Sequence, residues 1–284
     1  MKYKKENTNN DNAVFNFWHQ IRGFSPKLDD YYLLKTNIDT IQKEELKIFG
    51  STLSEDALNV NSFNYRCDEF IKNHNKKHVL FSGCSYTFGT GLTKEETWAN
   101  QVYKKLDKKY GCSGYFNLGL KGNNIYSSIL NIFKYCRYYG NPEIIFINLP
   151  ESRRFFGFDE KESKYKITYY NQADKNFYIN KLIIYNTYLM LEQYCNSNNI
   201  KLFSFTYDYL NKNGFECTNE LFKNFNFKTF YYINEKTMLE ELFLLKQNNE
   251  VKYFDIARDK RHRGTGWNIW WSNFIYNKYL ESKQ

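Results

Sequence analysis

The amino-acid sequence predicts an α/β fold built on a doubly wound parallel sheet. From residue 78 onwards, short apolar runs alternate with segments whose apolar residues recur at helical spacing. This alternation is typical of a parallel sheet whose two faces are covered by helices. Right-handed crossovers between the strands then give the doubly wound arrangement. Ligands of such folds bind beyond the carboxyl ends of the strands, so site residues are expected directly after each predicted strand.

The first half of this pattern contains three predicted strands and two predicted helices. Apolar runs predict strands over 78–82, 115–118 and 143–149, the last being the clearest buried run of the chain. Helical spacing predicts a helix over Glu95–Tyr110, with an apolar face of Trp98, Val102 and Leu106. A second helix is predicted over Asn124–Tyr139, with an apolar face of Ile125, Ile129 and Phe133.

The second half is less regular. Residues 151–176 read as irregular chain with a hairpin near Tyr165–Tyr170, and residues 207–234 as an insertion or long loop. Between them we expect a strand over 200–206 and, before it, a helix over 177–198 that carries Leu182, Tyr185, Leu189 and Glu192. The remaining predictions are a helix over 235–246, an extended segment over 251–256 and a final helix over 267–280 that carries Trp270, Phe274 and Tyr279.

Length and composition limit the class of protein. The 284 residues suit one large domain with an appendage, and we expect an N-terminal extension over 1–75 packed on a main domain over 76–284. The net charge of +9 invites a nucleic-acid partner, but the lysines are spread along the chain, which favours solvated helix faces. We therefore expect neither a nucleic-acid partner nor a membrane partner.

The termini and cysteines indicate the compartment. The polar first ten residues lack the apolar region of a signal peptide, and no apolar run is long enough to span a membrane. The six cysteines are widely separated and include no C-x-x-C pair, so we expect reduced, buried thiols and no zinc site. These features predict a cytoplasmic location in the cell that makes the protein.

Ser85 is the candidate nucleophile, since it follows the first predicted strand in the stretch Gly83-Cys84-Ser85. The stretch lacks the GK[ST] of a phosphate-binding loop and the third glycine of a dinucleotide-binding loop. Thr87 also stands where the G-x-S-x-G elbow of many esterases has its second glycine. None of these motifs therefore supports Ser85 as a nucleophile. The support comes from a partner histidine.

His262 is the candidate general base, with Asp259 as its orienting acid. A serine hydroxyl becomes a nucleophile when a base takes its proton, and a carboxylate commonly fixes the tautomer of that base. Of the four histidines, His262 alone has an aspartate three residues before it in a glycine-containing loop that precedes a helix. The alternative is a solvated charged turn, because D-x-x-H is a common spacing.

Three short segments resemble the conserved blocks of the SGNH (GDSL-type) hydrolases, most closely the GCSxTxG versions of phage and bacterial genomes. They are SGCSYTFG over 82–89, NLGLKGN over 117–123 and ARDKRH over 257–262. Residues 61–70 also resemble the segment that precedes the first block in such proteins. The resemblance spans about residues 57–282 and implies a flavodoxin-like three-layer α/β/α fold.

The resemblance also implies a role for each site residue. Ser85 would be the nucleophile, His262 the base and Asp259 the orienting acid, with no metal and no cofactor. The backbone N–H groups of Ser85 and Gly122 would belong to the oxyanion hole. The substrate would be a small acyl ester, such as an O-acetyl group on a carbohydrate.

The chain departs from the family pattern in the third block, which should supply an oxyanion asparagine. The third strand instead continues as Asn148-Leu-Pro-Glu-Ser-Arg-Arg154. Asn148 is the candidate donor, with Ser152 and Arg153 as substitutes. Arg153 and Trp267 are candidate substrate contacts, although surface charge and helix packing explain such residues equally well.

Two alternatives remain open at this point. Cys84 is a rival nucleophile, but alternation with Ser85 indicates that its thiol points into the core. The missing third block also suits a degenerate SGNH fold that serves as a glycan-binding or structural module, for example in a virion. The distance between Ser85 and His262 discriminates between the enzyme and such a module.

Overall fold

A computed structural model describes residues 60–63, 65–159, 164–169, 176–208, 217–232, 257 and 262–283. The strands are β1 Val79–Gly83, β2 Phe116–Asn117, β3 Ile144–Leu149, β4 Arg154–Asp159, β5 Lys164–Tyr169 and β6 Lys201–Thr206. The helices are α1 Ser85–Phe88, α2 Trp98–Tyr110, α3 Ile125–Tyr139, α4 Asn176–Ser197, α5 Thr218–Phe225 and α6 Thr265–Glu281.

The central sheet confirms the predicted α/β class. Its four strands are all parallel and lie in the order β2-β1-β3-β6. Counting the parallel strands alone, this is 2-1-3-4, the order with which a flavodoxin-like sheet begins. The strands β1 and β3 are interior, and their ends are in register, with Gly83 opposite Asn148. The strands β4 and β5 form a separate antiparallel hairpin.

One face of the sheet carries a row of stacked aromatic rings. Phe81, Phe146 and Phe203 are in register on neighbouring strands, with ring centroids 5.5 Å and 5.2 Å apart. Trp98 of α2 packs on Phe81 at 5.7 Å, and Tyr279 of α6 packs on Phe146 at 6.3 Å. The helices α2 and α6 therefore form one outer layer, and their apolar burial contributes most of the stability on this side.

The other face is covered by α3 and α4. The hydroxyl of Ser82 donates to the carbonyl of Ser128 in α3 at 3.0 Å, and Tyr188 of α4 donates to Ser204 of β6. Because Ser82 and Phe81 are adjacent in β1, their side chains point to opposite faces. The three predicted layers are thus present.

The helix predicted over 177–198 is present as α4. Leu182, one of the residues spaced along it, is 61% exposed. The helix buries a different stripe at helical spacing, formed by Ile184, Tyr188, Leu191 and Cys195. Helical spacing alone did not select the buried stripe because apolar residues occur on several sides of this helix.

Two boundaries and one element differ from the sequence predictions. The helix α2 begins at Trp98 rather than Glu95, because the Thr97 side chain caps it by accepting from the Asn100 N–H. The strands of the hairpin cover 154–159 and 164–169, whereas the sequence predicted a hairpin near 165–170. The expected loop over 207–234 contains the helix α5, whose first residue, Thr218, donates through its N–H and its hydroxyl to Asp208. The predictions over 235–246 and 251–256 lie outside the described residues.

Two predictions from composition concern burial. All six cysteines are free and buried, whereas their apolar context predicted burial for several of them. Of the proposed extension over 1–75, the described part packs on the main core through Tyr65 and Cys67, which are 1% and 4% exposed. Within the described ranges, no helix combines the length and apolar character needed to cross a bilayer.

Candidate active site

The strand-to-helix turn after β1 presents Ser85 at the carboxyl edge of the sheet. Gly83 ends the strand and Ser85 is the first residue of α1. Gly83 has a φ of +150°, and a Cβ there would lie 2.3 Å from the Thr87 hydroxyl oxygen and 2.6 Å from the Asn148 carbonyl oxygen. A side chain at position 83 does not fit, so glycine is required for β1 and α1 to meet this closely.

The structure brings Ser85 and His262 into contact. The Nε2 atom of His262 lies 2.7 Å from the Oγ atom of Ser85, which is a hydrogen-bond distance. Ser85 is 6% exposed, and His262 is partly buried just before α6. The N–H of Ala257 donates to the His262 carbonyl at 2.8 Å and so ties the base to the chain before it. Asp259, between these two residues in the sequence, lies outside the described residues.

Aromatic side chains surround this pair. The Tyr86 ring lies edge-on to the His262 ring at 5.0 Å and stacks on Tyr207 at 3.9 Å. Burial raises the pKa of the Tyr86 phenol to about 12 and raises the pKa of Tyr207 well above its usual value. Both phenols are therefore neutral at physiological pH, and they form an uncharged wall beside the base.

Two backbone N–H groups were predicted for an oxyanion hole. Ser85 is the first residue of a helix, so its N–H has no acceptor within that helix. Gly122 lies in an exposed turn with a φ of +69°. The next residue, Asn123, anchors this turn beside the nucleophile, because its side-chain amide donates to the Gly83 carbonyl at 3.3 Å. The turn of Gly122 is thus fixed to the strand that carries Ser85.

Asn148, the third predicted donor, is fully buried at the end of β3. It lies in register with Gly83 on one side and Phe205 on the other. Neither its amide nitrogen nor its amide oxygen has a hydrogen-bond partner among the described residues. A buried amide without a partner is costly, and this one lies at the carboxyl end of β3, opposite Gly83.

Ser152 and Arg153 are the alternative candidates for the third oxyanion donor, and both follow β3 in the chain. The Ser152 N–H donates to the Thr218 hydroxyl at 2.7 Å and is therefore already engaged. Arg153 is partly exposed and attracts Asp208, whose pKa is raised by burial. Arg153 and Ser152 therefore contribute to the region where α5 joins the sheet edge.

Cys84 is buried with no exposed surface, as the alternation with Ser85 predicted. Its Sγ atom lies 3.6 Å from the Tyr207 hydroxyl and 4.0 Å from the Ser85 Oγ atom. Trp267, a predicted substrate contact, is 3% exposed and stacks on Trp271 at 4.7 Å. Its ring also lies 6.3 Å from that of Tyr86, at the inner side of the aromatic wall.

Two arginines near the site were not singled out by sequence reasoning. Arg66 is 1% exposed and donates to the carbonyl groups of Phe88 and Gly89, at the end of α1. Arg154 has a side chain only 11% exposed, which lies against Glu151 and donates to the Asn123 carbonyl at 3.4 Å. The only sequence signal for either arginine was that Arg66 lies in the segment that resembles the one before the first SGNH block.

The described part of the chain contains no group of three or more His, Cys, Asp or Glu side chains placed to hold a metal ion. The side chains in contact at the sheet edge are a serine, a histidine and two phenols. Their arrangement suits proton transfer between Ser85 and His262.

No family model and no curated protein matches the chain. Among solved structures, the esterase EstA from a Pseudoalteromonas species is similar, with 13% identity and a TM-score of 0.44, over 72% of this chain and 98% of that one. The acetyl xylan esterase Est2A from Butyrivibrio proteoclasticus shows 11% identity and a TM-score of 0.44, over 75% of this chain but 65% of that longer one. A GDSL-like lipase from Bacteroides thetaiotaomicron shows 13% identity and a TM-score of 0.32, over 73% and 89% of the two chains. With TM-scores below 0.5, these likenesses do not identify the chemistry of this chain.

Proposed function

We propose that the chain is a serine ester hydrolase of the SGNH type. The observation that carries this proposal is the 2.7 Å hydrogen bond between the Ser85 hydroxyl and His262 Nε2. A serine placed on a tight turn at the carboxyl edge of a parallel sheet, with a histidine within hydrogen-bond reach, is the arrangement that nucleophilic catalysis requires.

In the first half of the proposed reaction, Ser85 Oγ attacks the ester carbonyl carbon. As the new C–O bond forms, the hydroxyl proton passes to His262 Nε2 and the carbonyl oxygen takes the negative charge. When the tetrahedral species collapses, the bond to the alcohol breaks and the alcohol oxygen takes the proton back from Nε2. An acyl-enzyme on Ser85 and a free alcohol result.

In the second half, water attacks the acyl carbon and its proton passes to Nε2. Collapse then releases the carboxylic acid and returns the proton to Ser85 Oγ. The charge on the carbonyl oxygen develops twice, so preorganised N–H donors contribute strongly; losing one donor costs about 3 kcal/mol of transition-state stabilisation. The N–H groups of Ser85 and Gly122 and the amide of Asn148 are the proposed donors.

Asp259 is the proposed orienting acid, because it lies three residues before His262 and an imidazolium next to a carboxylate is stabilised. The proposed substrates are small acyl esters, including O-acetyl groups of carbohydrates. Arg153 and Trp267 are proposed as contacts to the alcohol part of the substrate, and the Tyr86 ring of the uncharged wall lies 6.3 Å from that of Trp267.

The alternative, a degenerate fold that binds glycans or has a structural role, would gain support from a Ser85–His262 distance too long for a hydrogen bond. The 2.7 Å distance supports the enzyme instead. The alternative therefore remains only as an outcome of the experiment below.

Labelling with a fluorophosphonate probe tests the proposal, since the probe reacts with activated serine hydroxyls. We expect labelling of the wild type, none of Ser85→Ala and none of His262→Ala. The matched control is Cys84→Ala, which removes the neighbouring nucleophile and should keep its label. Hydrolysis of p-nitrophenyl acetate should follow the same order. Absence of both labelling and hydrolysis in the folded wild type would overturn the enzyme proposal in favour of the binding module.

A further inference from the structure

Arg66 is a buried guanidinium group at the far end of the helix that begins with the nucleophile. It is 1% exposed, although a charged side chain is rarely found without contact to water. One of its terminal nitrogens donates to the Gly89 carbonyl at 2.7 Å and to the Phe88 carbonyl at 3.4 Å. The guanidinium carbon also lies 5.4 Å from the centre of the Phe88 ring.

These two carbonyls are directly linked to the nucleophile through the backbone. The Gly89 N–H donates to the Ser85 carbonyl at 2.9 Å, and the Phe88 N–H donates to the Cys84 carbonyl at 2.9 Å. The peptide group that joins Phe88 to Gly89 therefore accepts from Arg66 through its oxygen and donates to the Ser85 carbonyl through its nitrogen. The next peptide group, which joins Gly89 to Thr90, does the same, with its N–H 3.1 Å from the Ser85 carbonyl. Hydrogen bonds in such a series strengthen one another, most strongly when one donor is charged.

The turn has little other freedom. Gly89 has a φ of +84°, and a Cβ there would lie 2.1 Å from the Thr97 methyl carbon. Thr97 is itself fixed as the cap of α2. The backbone at Gly89 is therefore enclosed by Thr97 on one side and by Arg66 on the other.

The segment that carries Arg66 is also held in place. The Asn61 side-chain oxygen accepts from the Tyr65 N–H at 3.0 Å, and Asp68 accepts from the Tyr115 N–H at 2.8 Å. Tyr115 leads directly into β2, next to β1 in the sheet. Arg66 is thus a rigid support that joins the β2 side of the sheet to the nucleophile turn.

We propose that Arg66 is a positioning residue for Ser85, holding the Ser85–Gly89 turn so that the Ser85 hydroxyl meets His262 Nε2. The effect on catalysis rests on the hydrolase function proposed above, whereas the effect on the turn does not. Arg66 acts through the backbone of Phe88 and Gly89.

The test compares Arg66→Met and Arg66→Lys with Ile129→Val, a substitution of a fully buried residue of α3 that forms no part of the proposed support. All are measured at a temperature at which unfolding curves show each variant to be folded. We expect Arg66→Met to lower kcat and the fluorophosphonate labelling rate about 100-fold with KM unchanged, the loss typical of a displaced catalytic group. Arg66→Lys should recover part of this loss, since its ammonium group can donate to one of the two carbonyls, and Ile129→Val should lose none.

Hydrogen exchange of the peptide that covers residues 84–90 gives a readout independent of catalysis. We expect faster exchange there in Arg66→Met than in Ile129→Val, with equal exchange in peptides from β6. The inference is overturned if Arg66→Met exchanges like Ile129→Val in this peptide, or if it keeps the wild-type labelling rate. If the wild type is not labelled while the exchange difference is seen, the hydrolase proposal fails and the positioning of the turn stands.

Discussion

The side chains of Ser85 and His262 are joined by a 2.7 Å hydrogen bond although 177 residues separate them in the chain. Ser85 is placed by the interior strand β1, and His262 is placed by the start of α6. The α6 residue Asn268 accepts from the Trp98 N–H at 3.0 Å, so α6 is docked on the first turn of α2. The distance between nucleophile and base is therefore set by helix packing over one face of the sheet.

Because the proposed mechanism makes the two side chains act as one unit, we expect their substitutions to be non-additive. Ser85→Ala and His262→Ala should each lower kcat for p-nitrophenyl acetate by about 10⁴-fold or more, and the double variant should lose no more than either single variant. Steady-state kinetics of the three variants measures this. A double variant with the product of the two single losses would show that the residues act separately.

The proposed role of Asp259 gives a second prediction. Asp259→Asn should lower kcat by about 10²- to 10⁴-fold with little change in KM, because the base loses the carboxylate that fixes its tautomer and stabilises its charged form. Asp255→Asn removes a carboxylate from the same stretch of sequence and should leave kcat unchanged. Equal activity of Asp259→Asn and wild type would remove Asp259 from the site.

Substitution of Asn148 is expected to lower activity without lowering stability. Asn148→Leu removes a buried amide without hydrogen-bond partners among the described residues, so the free energy of unfolding should stay equal or rise. If the amide donates to the oxyanion, kcat should fall by about 10²- to 10³-fold. Urea unfolding and p-nitrophenyl acetate kinetics give the two quantities.

The matched control is Asn131→Leu in α3, whose amide is likewise buried and has no hydrogen-bond partner among the described residues. This variant should show the same gain or constancy in stability with unchanged kcat. If both variants keep full activity, the third oxyanion donor is not Asn148.

The histidine pair His74 and His78 predicts how stability depends on pH. Their rings stack at 3.4 Å, and His78 Nε2 lies 2.7 Å from the Tyr135 hydroxyl. Burial, helped by the neighbouring His74, lowers the pKa of His78 from 6.5 to about 3, and burial also lowers the pKa of His74. The unfolded chain therefore binds more protons than the folded one between pH 6.5 and 3, so stability should fall as the pH drops through this window.

Urea unfolding at pH 7.5, 6.5, 5.5 and 4.5 measures this dependence. His78→Gln keeps a polar group near Tyr135 but does not titrate, so its stability should change less between pH 7.5 and 4.5 than that of the wild type. His19→Gln, a histidine of the N-terminal stretch, is the control and should keep the wild-type slope. An unchanged slope in His78→Gln would exclude this pair as its source.

The alternation of strands and helices could be predicted from sequence because it depends on local periodicity. The buried runs at Val79 and Ile144 were long enough to be recognised, and the strand ends placed Ser85 at the sheet edge. The pairing of Ser85 with His262 was also predictable, because few histidines were available and the motif order matched a known family pattern.

Features that depend on contacts between distant residues could not be predicted in the same way. The helix α5 is short, and Asp208, ten residues before its first residue, accepts the hydrogen bonds of that residue. The burial of Arg66 arises from packing against α1, 22 residues later in the chain. In the sequence, nothing distinguishes Arg154 from a surface arginine. Only the structure shows that its side chain is largely buried and donates to the Asn123 carbonyl.

Because all six thiols are buried, the rate at which they are chemically modified reports how often the fold opens. Burial raises the pKa of Cys112 and Cys217 to about 11 and that of Cys136 and Cys195 to about 12, so few thiolates form in the native state at neutral pH. Reagents such as Ellman's reagent should therefore react only as fast as the core opens. The order in which the cysteines are modified would then rank the parts of the fold by how often each becomes accessible, without any introduced probe.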